Sequence, residues 1–159
     1  MTIRSCLLLI TLGLSTAVSA QTLSPEGYGK VRFGDRLDAT ERRLGQKATQ
    51  PPSDPACSIV KFKRYPRVTF MVEQGVITRA DAKTVVRNSA GITARMSVKD
   101  AQRHEPRLRT ELHKYDENGS YLVLPHGETK ALIFETSRGK LTRMRGGVKP
   151  SVEYVESCS

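Results

Sequence analysis

Cysteine and histidine, the residues of many metal and catalytic sites, are scarce in this sequence of 159 residues. It contains three cysteines and three histidines, and neither set has the close spacing of a zinc site. A Gly-x-Ser-x-Gly motif is absent, and each histidine is expected to be solvated: His104, His113 and His126. Glycoside hydrolysis would need a pair of carboxylates, and four lie on or near predicted strands: Glu73, Asp81, Glu135 and Glu153. Ordinary surface charge explains all four. We therefore expect no catalysis, no metal and no cofactor.

Long apolar runs are also lacking, apart from a short one near the N-terminus. Arg4 precedes a mostly apolar stretch at residues 6–14, and Val-Ser-Ala at residues 18–20 is typical of a signal-peptide cleavage site. The stretch is too short to span a membrane, and Cys6 lies far upstream of the position that a lipoprotein signal requires. We predict that residues 1–20 are a signal peptide. The mature chain would then be periplasmic or secreted, with no transmembrane segment.

After cleavage, Cys57 and Cys158 are the cysteines that remain. An exported protein with two cysteines usually bridges them, so we predict a disulfide between this pair. The bridge would close a loop of about 100 residues, for which the chain-entropy model gives a stabilisation of about 4–5 kcal/mol.

Acidic residues are few beside the basic ones. The chain has 26 lysines and arginines against 16 aspartates and glutamates, a net charge of +10. This surplus favours an acidic partner, which we expect to be an acidic envelope protein or an anionic glycan. Anionic lipid headgroups stay open, as does a basic surface that is merely soluble. Nucleic acid is disfavoured by the export signal and because no run of Lys and Arg exceeds two residues.

Two stretches alternate apolar and polar residues with the period of a half-buried strand. They occupy residues 68–79 and 132–143, and Gln-Gly or Arg-Gly interrupts each one as a turn would. Both contain Gly-x-hydrophobic-Thr-Arg. We predict a β-hairpin in each stretch, with Phe70 and Phe134 buried under the helices.

Capping residues predict two short helices. Asp35 or Asp38 can cap the first, and Gly45 ends it. Ser97 with Asp100 forms the capping-box pattern that begins the second.

Residues 88–91 (Asn-Ser-Ala-Gly) are the best internal boundary. They divide the mature chain into residues 21–87 and 88–159, and we predict that each half is a helix followed by antiparallel strands, together forming one compact domain. A last short strand is expected at residues 151–155. Chance is the alternative to a tandem duplication, because the repeated motif is short.

Residues 95–101 (Arg-Met-Ser-Val-Lys-Asp-Ala) resemble the helix start Gly-Met-[Ser/Thr]-x-x-[Asp/Glu]-[Val/Ala] of the SmpA/OmlA family of small envelope lipoproteins, and residues 33–37 resemble it more weakly. Two such units are similar to β-lactamase-inhibitor-protein-like domains. This resemblance implies an α+β fold in which short helices pack on one face of an antiparallel sheet and leave the other face available. The chain departs from the pattern where Arg95 replaces glycine. It also places Cys57 and Cys158 in different halves, whereas the inhibitor-like family bridges cysteines within a repeat.

The chain also resembles small secreted proteobacterial proteins that are sometimes labelled lectins. The stretches behind this resemblance are residues 70–81, 113–116, 134–136 and 152–158.

Arg79 and Arg143 occupy matching positions of the two hairpins, and Arg145 follows on the same predicted strand face. Arginine and tyrosine are over-represented at interfaces, so we predict a binding face made of six residues: Arg79, Arg143, Arg145, Tyr115, Tyr121 and Tyr154. In the alternative interpretation, the arginines pair with Asp81 and Glu135 and are structural.

The predicted function is that of an exported, non-enzymatic binding protein, an inhibitor or immunity-type partner of an envelope enzyme. A lectin-like binder of envelope carbohydrate and an outer-membrane assembly factor are the alternatives.

Overall fold

The computed structural model describes residues 21–158, so the predicted signal peptide at residues 1–20 lies outside the described part of the chain. Eleven strands, two α-helices and one 3₁₀-helix make up the structure. In chain order these are β1 (Thr22–Ser24), β2 (Gly27–Tyr28), β3 (Val31–Arg32), α1 (Leu37–Leu44), β4 (Cys57–Val60), β5 (Val68–Glu73), β6 (Val76–Lys83), β7 (Arg87–Asn88), α2 (Val98–His104), β8 (Arg109–Leu112), β9 (Gly119–His126), β10 (Lys130–Ser137), β11 (Lys140–Val148) and the 3₁₀-helix Ser151–Glu153.

The strands form two sheets. The larger has seven strands in the order β4-β5-β6-β11-β10-β9-β8, and every neighbouring pair is antiparallel. The smaller has four strands in the order β3-β2-β1-β7, with β1 and β7 parallel. Of the helices described for residues 21–158, none is both long and apolar enough to cross a membrane.

Both predicted hairpins are confirmed, as β5-β6 and β10-β11. Their turns need a left-handed backbone at two successive positions. Gln74 and Gly75 have φ of 50° and 78°, and Arg138 and Gly139 have φ of 49° and 74°. Positive φ at both central residues is the requirement of a type I′ turn, whose twist suits a two-residue hairpin. The glycine in each repeated motif therefore has a conformational role.

The main core lies against one face of the larger sheet, which we call the first face. Phe70 and Phe134 have no solvent exposure and belong to one apolar cluster with Leu23 of the smaller sheet and Leu37 of α1. The smaller sheet comes very close to β11 because residue 146 is glycine. A Cβ atom there would lie 2.6 Å from the carbonyl oxygen of Ser24. The smaller sheet and both helices thus cover the first face.

The predicted fold class, α+β with two tandem helix-plus-strand units, is wrong. The structure is mostly β, with 42% of the described residues in strands and 13% in helices, and α1 and α2 have only eight and seven residues. The seven strands from both halves of the chain join in one sheet through the pairing of β6 with β11. Residues 22–32 contribute three short strands to the smaller sheet. The pairings of β1 with β7 and of β6 with β11 join residues about 60 positions apart, and local patterns do not specify them.

Helix ends follow local chemistry more closely. Ser97 Oγ accepts a hydrogen bond from the backbone N–H of Asp100, and the Asp100 carboxylate accepts one from the backbone N–H of Ser97, which confirms the predicted capping box. Gly45 ends α1 with φ of 65°. At the start of α1, however, the capping position holds Arg36 without a side-chain hydrogen bond.

The predicted disulfide is confirmed. Cys57 at the start of β4 is bonded to Cys158, with a Cα–Cα distance of 5.4 Å. The strand expected at residues 151–155 is instead a 3₁₀-helix followed by irregular chain. We call residues 151–158 the C-terminal segment. It crosses the opposite side of the larger sheet, the second face.

Replacing Phe134 with alanine tests the placement of the core. Because this side chain is fully buried, Phe134→Ala should lower the free energy of unfolding by about 3–5 kcal/mol. Leu112→Ala is the control, since Leu112 is 92% exposed and its removal should change that free energy by less than about 0.5 kcal/mol. Urea denaturation measures both. A loss below about 1 kcal/mol in Phe134→Ala would contradict this core.

A second prediction concerns the disulfide, which spans 101 residues of sequence. Changing both Cys57 and Cys158 to serine should lower the free energy of unfolding by up to about 4–5 kcal/mol, because the unfolded chain regains the entropy of the open loop. Urea denaturation of the variant and of the reduced native protein should give similar losses. Two free thiols in the unreduced, denatured protein would show that the bridge does not form.

Candidate binding site

The six residues predicted to bind a partner differ greatly in exposure. Arg79, Arg145 and Tyr121 are buried, with exposed fractions of 3%, 4% and 6%. The other three are exposed: Arg143, Tyr115 and Tyr154. Arg79 and Arg143 do not meet across their strands, because Arg79 lies opposite Gly147 and Arg143 lies opposite Lys83.

Arg79 holds the C-terminal segment against the second face. Its Nε and Nη2 donate to the two carboxylate oxygens of Asp81, at 2.8 and 2.6 Å. Its Nη1 donates to three backbone carbonyl oxygens of the segment, of Ser151 (3.3 Å), Tyr154 (2.7 Å) and Glu156 (3.4 Å). The planar guanidinium, with five donors in fixed directions, suits this arrangement. The buried charge is thereby paired on one side and hydrogen-bonded on the other.

Arg145 repeats this role one strand away. Its Nε donates to the carbonyl oxygen of Val152 at 2.7 Å, and its Nη1 lies 3.7 Å from Glu135 Oε2. The guanidinium also lies over the ring of Tyr121, 5.0 Å from its centroid. Burial, and secondarily the charge of Arg79, lower the pKa of Arg145. The ion pairs with Asp81 and Glu135 are those that the structural alternative expected, so the guanidinium groups of Arg79 and Arg145 are occupied internally.

The prediction that His113 is solvated is wrong, because its side chain is only 9% exposed. Its Nδ1 accepts hydrogen bonds from the backbone N–H groups of Tyr115 (3.1 Å) and Asp116 (3.0 Å), so a neutral ring carries its proton on Nε2. That nitrogen lies 3.1 Å from Glu135 Oε1, and the ring stacks on Tyr121 at 4.6 Å between centroids. Burial, with the Glu135 charge, raises the pKa of Tyr121. Both ring nitrogens of His113 are engaged in structural contacts.

The exposed tyrosines border the C-terminal segment. Tyr154 is part of it and is 43% exposed, while Tyr115 is 64% exposed and its hydroxyl donates to the carboxylate of Glu156. Lys114 lies over the Tyr115 ring, 4.9 Å from its centroid, and 3.4 Å from Glu156.

Arg143 belongs to a separate feature of the second face, a cleft of about 460 Å³. We call it the basic cleft, and its cations are Lys61, Arg67, Lys83 and Arg143. All four are exposed, and none forms an ion pair with another residue in the range 21–158.

Two further features leave the charge of the basic cleft uncompensated. Its carboxylate, Asp81, has both oxygens bonded to Arg79. Arg143 and Lys83 lie directly opposite each other on β11 and β6, and like charges in that relation are destabilising. Glu135 lies opposite Arg143 on its other side, but it contacts His113 and Arg145 instead. The cleft is therefore an exposed, concentrated positive charge.

The sequence indicated one of the four cations of the basic cleft, Arg143. Lys83 could have been found from period 2, because it follows Arg79 and Asp81 on one face of the predicted strand. Lys61 and Arg67 lie outside the described strands, and no local signal places them beside Arg143. Among residues 21–158, no group of three His, Cys, Asp or Glu side chains is arranged to hold a metal ion.

No protein-family model and no curated protein matches this chain. Among solved structures, it is similar to an extracellular protein containing an SCP domain from Bacillus anthracis str. Ames, with 10% identity and a TM-score of 0.46. The match covers 93% of this chain and 50% of that one, so the chain spans about half the length of that protein. The resemblance to SmpA/OmlA and inhibitor-like repeats stays a prediction.

Arg79 and Arg143 should respond very differently to the same substitution. Arg79→Ala removes the pairing of Asp81 and the donors to three carbonyl groups, and should lower the free energy of unfolding by about 2–3 kcal/mol. Arg143→Ala removes an exposed side chain without an ion pair and should change it by less than about 0.5 kcal/mol. Urea denaturation measures both. Equal losses in the two variants would refute the difference in role.

Proposed function

We propose that this chain is an exported binding protein that recognises an anionic partner through the basic cleft and catalyses no reaction. The observation that carries the proposal is the uncompensated charge of the cleft, where four exposed cations lack acidic partners in the described structure. Clefts lined by charge of one sign concentrate ligands of the opposite sign and accelerate their association.

The residue types of the basic cleft suit acidic groups. Arg67 and Arg143 present planar guanidinium forks that match carboxylate or phosphate oxygens. Lys61 and Lys83 add compact charges on flexible stems. Exposed cations contribute little to folding stability. Arg143 and Lys83, which face each other on neighbouring strands, lower that stability because their charges repel. The packing of the fold therefore gives no reason for these four cations to lie together, whereas the binding of an anionic ligand does.

Export is part of the proposal. The N-terminal pattern supports it, and so does the disulfide between Cys57 and Cys158, because such bridges persist mainly outside the cytoplasm. A periplasmic or secreted location is the finer form of the same proposal.

Several classes of partner carry the acidic groups that the basic cleft would bind. An acidic envelope protein would make the chain an inhibitor or immunity-type protein, and this role rests on the resemblance to inhibitor-like domains. The role in outer-membrane assembly rests on resemblance as well. A lectin-like role toward anionic carbohydrate draws support from the cleft itself. Tyr115 and Tyr154 remain candidate contacts at the C-terminal segment, because their side chains are exposed.

A titration with pyrophosphate, followed by NMR of the backbone amides, tests the site without assuming a ligand class. We expect shifts concentrated at the basic cleft, including Thr69, Lys83 and Val85. The double variant Lys83→Ala/Arg143→Ala should lose most of the binding because two of the four cations are removed.

The matched control is Arg95→Ala/Lys99→Ala. It removes the same two charges from exposed positions near α2 and should bind as the native protein does. Shifts scattered over the whole basic surface, or equal losses in the two double variants, would refute the basic cleft as the binding site.

A further inference from the structure

A second cleft adjoins the basic cleft. It has a volume of about 280 Å³ and shares Pro66, Arg67 and Val85 with its neighbour. It adds Arg87 on β7 and Tyr28 on β2, so the two neighbouring clefts together reach from the larger sheet to the smaller one. Arg87 is exposed and forms no ion pair with any residue from 21 to 158.

We propose that the two clefts form one basic track that binds a linear acidic polysaccharide, with its repeated carboxylate or sulfate groups on successive cations. This inference rests on the proposed function and names the class of its ligand. The cations of the track are Lys61, Arg143, Lys83, Arg67 and Arg87. A single small anion could meet the cations of one cleft, whereas a chain with repeated charges meets those of both.

The track lacks the features that a nucleic acid or a peptide would use. Single-stranded nucleic acid is held by stacking of bases on aromatic rings, and the aromatic side chain of the track, Tyr28, is only 4% exposed. Lys83 and Arg143 lie on interior strands of the larger sheet, so no free edge beside them can pair with an extended peptide. Arg87 lies on an edge strand of the smaller sheet, but β7 has only two residues and offers a peptide little edge to extend.

An amphipathic helix would need a row of apolar anchors. Val85, which is 65% exposed, is the large apolar side chain that the track presents to solvent. A sugar chain needs only spaced charges and hydroxyl partners. Thr69 and Gln21 can supply the latter, one in each cleft.

Isothermal titration calorimetry with oligogalacturonides of defined length tests the track. A long oligomer should bind at least about tenfold more tightly than the disaccharide, because it engages both clefts. Affinity should decrease as the salt concentration rises, and the magnitude of the slope of log affinity against log salt concentration should decrease by up to about 1 for each cation removed. Lys83→Ala/Arg143→Ala should weaken both ligands, while Arg87→Ala should weaken only the long one. Arg95→Ala/Lys99→Ala is again the charge-matched control and should weaken neither.

The other outcomes separate the possible failures. Equal affinity for the two oligomers, with no effect of Arg87→Ala, would overturn the track and leave the anion site of the basic cleft in place. Tighter binding of single-stranded DNA or of poly-glutamate, at equal charge and salt, would overturn the polysaccharide class. If pyrophosphate also fails to bind the cleft, the proposed function itself falls.

Discussion

Two buried guanidinium groups hold this structure together at its second face. A buried charge is costly unless it is paired and hydrogen-bonded. Arg79 and Arg145 meet this requirement with the carboxylates of Asp81 and Glu135 on the sheet and with carbonyl oxygens of the C-terminal segment. The dependence is mutual, because the 3₁₀-helix and the irregular chain after it have no strand partner for these carbonyls. The segment is thus an integral layer of the fold.

The position of the C-terminal segment decides which part of the second face can meet a ligand. It covers the centre of the sheet, where Val152 packs with Tyr121, Ala131 and Ile133 in a small apolar cluster. The segment leaves the sheet uncovered around Lys83, at the end of β6, and around Arg143, opposite it on β11. The basic cleft lies there. The same Gly-x-hydrophobic-Thr-Arg motif therefore ends in a buried arginine in one hairpin and an exposed one in the other.

Much of the local structure could be predicted from the sequence. The I′ turns at Gly75 and Gly139, the capping box at Ser97 and the burial of Phe70 and Phe134 all follow from short-range patterns. The disulfide follows from the number of cysteines that remain after residue 20. These features depend on a few neighbouring residues or on a count, so a single sequence contains the information.

The fold class and most of the site could not be predicted. The class depends on β6 finding β11 and on β1 finding β7, and neither pairing has a local signature. The burial of Arg79 depends on carbonyl groups that lie more than 70 residues away in sequence. Lys61 and Arg67 belong to the basic cleft only because the strand order β4-β5-β6-β11 brings the end of β4 and the turn before β5 into the same cleft as Arg143.

The disulfide also determines how the chain transmits mechanical force. Cys57 begins an edge strand of the larger sheet, and Cys158 ends the C-terminal segment that crosses its second face. The covalent ring between them contains all seven strands of that sheet, both buried arginines and the whole basic cleft. Tension applied at residues 21 and 158 would peel away the first three strands and α1, and would then reach the ring. An anionic ligand in the basic cleft would stay bound to a part of the molecule that such tension cannot extend.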